Sequence, residues 1–179
     1  AVVLGCGMEG LLTVAALKTL GINKIIVIDK ESEKSRAMEF GAWEFIGSHG
    51  KNGVAGVKDK IRAAAGDMAD AVFICTDSPM GRNVARRFMK NSGSICEMGF
   101  LCGWRRTPTA RYFEDSMPAG GRFYAARDYE NCMNFLAKAA EMKLPLYKLI
   151  THRYKLEEIN EAMWTVVREE GLGIAVFNR

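Results

Sequence analysis

The stretch Ala1-Val2-Val3-Leu4-Gly5-Cys6-Gly7-Met8-Glu9-Gly10 sets three glycines in the spacing G-x-G-x-x-G directly behind a short apolar run. Each glycine answers a different need. Gly5 permits a tight turn out of a strand, Gly7 keeps a Cβ out of the path of a pyrophosphate, and Gly10 lets the next helix pack closely on the sheet. Downstream, Leu11, Leu12, Ala15, Ala16 and Leu20 share one helical face, Lys18 falls off it, and Gly21 is placed to end the helix. The unpaired N–H groups and positive dipole end of such a helix suit a phosphate pair. A second apolar run, Lys24 to Ile28, closes on Asp29, nineteen positions after Gly10. A carboxylate there accepts both hydroxyls of an adenosine ribose and repels a 2′-phosphate, so the pattern predicts NAD in preference to NADP. Lys30, Lys34 and Arg36 follow closely enough to offset part of that repulsion. A glycine turn used for packing alone, and a merely solvated Asp29, are the plainer alternatives. The strand, capped helix and second strand around these residues favour the dinucleotide site.

Strand-like and helix-like segments keep alternating. Glu31 to Phe40 reads as a helix ended by Gly41, and Trp43 to Ile46 as a short strand. Val54, Val57, Ile61 and Ala64 share one helical face, and Ala71 to Cys75 is a buried type of strand. Met80, Val84, Phe88 and Met89 form another helical stripe, broken at Asn91-Ser92-Gly93 before a fifth strand, Ser94 to Met98, that ends at Gly99. Strands joined by helices require right-handed crossovers and a mainly parallel sheet. The expected fold is therefore α/β, a doubly wound sheet of the Rossmann type. Ligands of such sheets lie at the carboxyl ends of the strands. Cys75-Thr76-Asp77 and Met98-Gly99-Phe100 are thus the expected walls of a nicotinamide pocket, with ordinary strand-to-loop turns as the alternative. The cofactor-binding candidates are Gly5, Cys6, Gly7, Met8, Glu9, Gly10, Asp29, Cys75, Thr76, Met98, Gly99 and Phe100.

From Leu101 to Gly121 the periodicity fails, and this long connection reads as a surface segment or interface, with Arg105 or Arg106 as an alternative phosphate or carboxylate clamp. Arg122 to Ala126 is a candidate sixth strand. A helix from about Asp128 to Lys143 would turn Tyr129, Met133, Leu136 and Ala140 inward, and a last helix carries Leu156, Ile159, Met163 and Val166 before Gly171 and the run Ile174 to Phe177. The expected division is residues 1–127 as the dinucleotide-binding domain and 128–179 as C-terminal helices and strand.

Composition narrows the class of function. A chain of 179 residues removes roughly 70% of its unfolded surface from water on folding, so a real core is expected. The net charge of +4 is spread along the chain, which argues against a nucleic-acid partner, and no apolar run approaches membrane-spanning length. No signal-peptide pattern opens the sequence. Five cysteines, Cys6, Cys75, Cys96, Cys102 and Cys132, form no C-x-x-C pair, and His49 and His152 stand about a hundred residues apart. Free thiols in a reducing cytoplasm, and no zinc site within this chain, are the expectations.

The segments AVVLGCGMEGLLTVAALKTLG (1–21), IIVIDKESEKSRAMEFGA (25–42), GDMADAVFICT (66–76), GSICEMGF (93–100) and ITHRYKLEEINEAMWTVV (150–167) together resemble the medium-chain dehydrogenase/reductase family, the zinc alcohol and polyol dehydrogenases. The last segment discriminates best, because a Rossmann turn is shared by many families. The resemblance implies that Gly5, Gly7 and Gly10 hold the pyrophosphate, Asp29 and Lys34 the adenosine ribose, and the Met98 to Phe100 backbone the nicotinamide carboxamide. It implies hydride transfer between a small-molecule alcohol and NAD, in a homo-oligomer. His152 matches a histidine of structural role. Where members often carry Arg or Lys at the start of the final strand, Gly173 and Ile174 stand here. Family members have an N-terminal catalytic domain with a Gly-His-Glu zinc motif. Zinc is thus expected only in a catalytic domain absent from this chain, which alone is expected to be inactive. In the family the final helix and strand pack on that domain, so their apolar faces are expected to be partly uncovered here, leading to self-association or partial disorder. Two other readings stand beside this one: a non-catalytic NAD-binding regulatory module and, more weakly, an S-adenosylmethionine methyltransferase.

Overall fold

Val2, Val3 and Leu4 leave no polar side chain on either face, and they form β1 (Val2–Leu4), buried on both sides as a sheet covered front and back requires. The computed structural model describes residues 1–48, 53–76, 84–98, 118–119, 125–168 and 171–177. β1 pairs in parallel with β2 (Ile26–Asp29) on one edge and β4 (Ala69–Ile74) on the other. With β3 (Glu44–Gly47), β5 (Met89–Glu97) and β6 (Pro118–Ala119), the sheet order is β3-β2-β1-β4-β5-β6, parallel throughout. The order reverses between β1 and β4, which is where this class of sheet opens a crevice at its carboxyl end. The doubly wound Rossmann architecture expected from the sequence is therefore present.

The helices between the strands are α1 (Met8–Thr19), α2 (Lys34–Glu39), α3 (Gly53–Ala65) and α4 (Ala126–Glu141). On one face of the sheet Val2, Leu4, Ile26, Ile28, Val72 and Ile74 form a continuous core with Ile61 of α3 and with Phe88. Gly21 ends α1 as expected: at φ +83 it lets the Ile22 N–H donate to the Leu17 carbonyl at 3.0 Å. The burial of α1 differs from the expected stripe. Thr13 and Val14 are buried with Leu11 and Ala15, and Leu20 is exposed, because the helix is enclosed on more than one side.

Three further expectations are corrected. Phe88 and Met89 are buried, but a 3-10 turn over Arg86–Phe88 delivers them, and β5 begins at Met89, so Asn91-Ser92-Gly93 lies inside a strand. A register shift opposite Ala69 and Ala71 absorbs the irregular residues. On α4, Tyr129, Met133, Leu136 and Ala140 are exposed, and the fully buried residue among those described is Ala139, one position before Ala140. Asp128 does not cap that helix from the N-cap position. Its carboxylate accepts the Ala125 N–H at 2.6 Å from the third helical position. The expected strand before this helix lies mostly outside the described residues, and Ala126 opens the helix itself.

The chain forms two compact units, Ala1–Leu144 and Pro145–Arg179. Within the first unit, α4 packs against α1. The second unit runs β7 (Ile150–Lys155), α5 (Ile159–Val167) and β8 (Gly173–Phe177), with its two strands parallel. Thr151 ties its ends: Oγ1 accepts the Leu172 N–H at 3.0 Å and donates to the Gly173 carbonyl at 3.1 Å. The His152 ring lies parallel to that of Tyr154, the centroids 6.3 Å apart. No helix among the described residues is long and apolar enough to cross a membrane.

Candidate coenzyme site

The turn after β1 separates glycines required by the protein from one that is not. Gly5 has φ +100, and a Cβ there would lie 2.4 Å from the Cys75 carbonyl oxygen. Both conformation and space exclude a side chain. A Cβ on Gly10 would stand 2.0 Å from the carbonyl oxygen of Gly5, so α1 rests directly on the turn. Gly7 is different. Its φ of −69 and ψ of −172 suit any residue, and nothing lies within 4 Å of where its Cβ would be. Nothing among the described residues demands glycine at position 7, whereas a diphosphate drawn up to the backbone does. Gly7, Met8 and Glu9 are exposed, so the turn opens to solvent.

Gly7 is also the N-cap of α1 and offers no side-chain acceptor to the helix. The first intrahelical bond runs from Leu11 N–H to the Gly7 carbonyl at 3.0 Å. The first amides of α1 therefore point out of the helix end and not along its ladder of i→i−4 bonds. They gather at the positive end of the dipole, beside the open space at Gly7.

Asp29 ends β2 and is tied to this turn. Its Oδ2 accepts the Cys6 N–H at 2.6 Å and its Oδ1 the Lys30 N–H at 2.7 Å. Two amides fix the carboxylate in orientation, yet each oxygen keeps acceptor capacity, so a vicinal diol can still bridge both. Lys34, expected near the same ribose, begins α2 and forms an exposed ion pair with Glu31 at 3.7 Å.

The far wall comes from β4. The Cys75 N–H bonds the Leu4 carbonyl at 2.8 Å, and the Cys75 carbonyl closes on Gly5. The structure thus brings Gly5, Cys6, Gly7, Gly10, Asp29 and Cys75 together at the switch point, with Thr76 next in the chain. Met98 follows β5, half-exposed, its N–H on the Ile74 carbonyl at 2.9 Å. Asp77, Gly99, Phe100 and the segment holding Arg105 and Arg106 lie outside the described residues.

Neither thiol of the site is a nucleophile near neutrality. Burial, then the Asp29 and Glu33 carboxylates, push Cys6 up to about 12 from its usual 9. Burial pushes Cys75 up to about 11, against the opposing effect of its hydrogen bond with Thr13. Sequence reasoning missed Thr13. Its buried hydroxyl spans the Glu9 carbonyl at 2.7 Å and Cys75 Sγ at 3.5 Å, joining the helix to the opposite wall. A lone threonine between apolar helical positions was the available signal. Among the described residues no three or more His, Cys, Asp or Glu side chains gather as a metal site.

A parallel sheet in this order, with an open glycine turn at the reversal and a carboxylate bound to that turn from the next strand, defines a coenzyme-binding domain of the Rossmann type. The chain belongs to the zinc-binding dehydrogenase family, which its residues 10–138 match. It is 29% identical over 166 residues to sorbitol dehydrogenase 1 of Saccharomyces cerevisiae, covering 90% of this chain and 46% of that protein. To D-xylulose reductase of Scheffersomyces stipitis it is 27% identical over 168 residues, covering 89% and 45%. The fold matches an alcohol dehydrogenase from Thermotoga maritima with a TM-score of 0.85 at 20% identity, over 98% of this chain and 49% of the other. A short chain alcohol dehydrogenase from Escherichia coli CFT073, solved with NADH, matches with a TM-score of 0.74 at 20% identity, over 98% and 50%. The chain spans about half the length of the curated relatives it matches. The family resemblance drawn from the sequence segments is borne out.

Proposed function

We propose that this chain is the coenzyme-binding part of an NAD-dependent dehydrogenase of alcohols or polyols. The observation that carries the proposal is the contrast at the turn: Gly5 and Gly10 have no room for a side chain, whereas Gly7 faces open space beside the Asp29 carboxylate. The amides of Met8, Glu9 and Gly10 would hold the pyrophosphate, Asp29 the adenosine diol with Lys34 at its edge, and Cys75, Thr76 and Met98 would flank the nicotinamide, with Gly99 and Phe100 completing that wall. Bound NAD supplies the hydride acceptor for oxidation of a carbinol carbon. The names of the relatives support a polyol as substrate. Any zinc would be held by residues outside the described ones. Similarity that runs over 98% of this chain, and so beyond the coenzyme turn into the C-terminal unit, favours this reading over a regulatory module. The exposed apolar side chains of α4 and α5 support self-association, which sedimentation velocity measures directly.

Calorimetric titration with NAD, NADP and S-adenosylmethionine tests the reading. NAD is expected to bind, Gly7→Val to abolish binding while the protein stays folded, and Asp29→Ala to weaken discrimination against NADP. A folded protein that ignores NAD, or a Gly7→Val variant that binds it undiminished, overturns the proposal.

A further inference from the structure

Two of the basic residues that follow Asp29 are already engaged by acids. Lys34 pairs with Glu31 at 3.7 Å with both side chains largely exposed, while Arg36 Nη1 donates to Glu33 Oε2 at 2.5 Å with Glu33 only 25% exposed. The second pair belongs to the coenzyme turn. The Glu33 carbonyl oxygen is 4.0 Å from Cys6 Sγ, and the Cys6 amide is one of the two that hold Asp29. Burial raises the Cys6 thiol most, and it also feels all three charges, raised by Asp29 and Glu33 and lowered by Arg36.

We propose that Glu33 is a coenzyme-selecting residue, which keeps Arg36 in an ion pair and so denies its guanidinium to a 2′-phosphate beside Asp29. The inference rests on the NAD reading above. A planar guanidinium with two parallel N–H donors is the side chain best matched to a phosphate monoester. Placed free near the adenosine ribose, Arg36 would counter the repulsion from Asp29. Bound to Glu33, it is already neutralised, and a 2′-phosphate dianion meets the uncompensated Asp29 carboxylate. Asp29 excludes the phosphate at the diol itself, and Glu33 removes the cation that would otherwise compensate.

The experiment compares the ratio of NADP to NAD dissociation constants, by calorimetry on the full protein, in wild type, Glu33→Gln, Glu33→Ser and Glu33→Gln with Arg36→Gln. Release of one charge-assisted donor pair is expected to lower that ratio roughly tenfold in Glu33→Gln and in Glu33→Ser. The double variant is expected to return it toward the wild-type value. The serine variant covers the case in which the glutamine variant fails to fold. A ratio unchanged in a folded Glu33 variant overturns the inference while leaving the NAD reading standing. So does a double variant as permissive as the single one, which would make the effect one of lost negative charge alone. Wild-type protein that binds no NAD overturns the functional reading as well, and is recognised by that result alone.

Discussion

Both β1-α1-β2 and β7-α5-β8 are strand, helix and parallel strand in that order, and they meet opposite fates. In the first, Val2, Val3, Leu11, Val14 and Val27 are fully buried. In the second, Leu156, Ile159, Met163 and Val166, the residues that helical spacing assigns to an inward stripe, are between 41% and 58% exposed. The buried residues of α5 are Ala162 and Thr165, and Thr165 is satisfied by the Tyr154 hydroxyl at 2.7 Å and the Glu161 carbonyl at 3.1 Å. The motif is the same; the surroundings differ. β1 lies in the middle of a six-stranded sheet, whereas among the described residues β7 and β8 pair only with one another. Two strands and one helix have too few neighbours to enclose an apolar stripe.

The largest effect that would break this contrast is expected at Gly10. A methyl group there meets the Gly5 carbonyl at 2.0 Å, and neither backbone can yield without opening the turn. Gly10→Ala is expected to cost about 3 kcal/mol or to prevent folding, as read by urea denaturation. Next comes a matched pair of truncations. Leu11→Ala in α1 is expected to cost about 2 to 5 kcal/mol, and Met163→Ala in α5 less than about 0.5 kcal/mol. Equal losses would show that the second unit is packed as tightly as the first.

A smaller effect follows from the thiols. Cys6 and Cys75 are held above their usual value of 9, at about 12 and about 11. The folded state favours the neutral form, so this contribution is whole below pH 9 and is lost as pH rises through 11 and 12. Unfolding free energy is expected to fall by on the order of 1 kcal/mol per pH unit above 9, and Cys6→Ala is expected to flatten that slope. Denaturation series between pH 8 and 11 measure it, and a wild-type slope unchanged in Cys6→Ala would place the effect elsewhere.

The coenzyme half was legible in the chain because its requirements are local. A turn with no room for a Cβ demands glycine, a helix stop demands a left-handed residue, and β2 carries its acid one residue past the apolar run. Gly5, Gly10, Gly21 and Asp29 therefore mark their own positions. What periodicity left open was which face of a helix finds a neighbour. α4 buries Ala139 and exposes Tyr129 and Met133, and Met89 reaches the core from a strand, because burial is decided by the elements that arrive from distant parts of the sequence. The same holds for Thr13 against Cys75, sixty-two positions apart, and for Cys6 between Asp29 and Glu33. Local pattern specifies conformation through the sterics of each residue, whereas contact partners exist only once the sheet has closed over them.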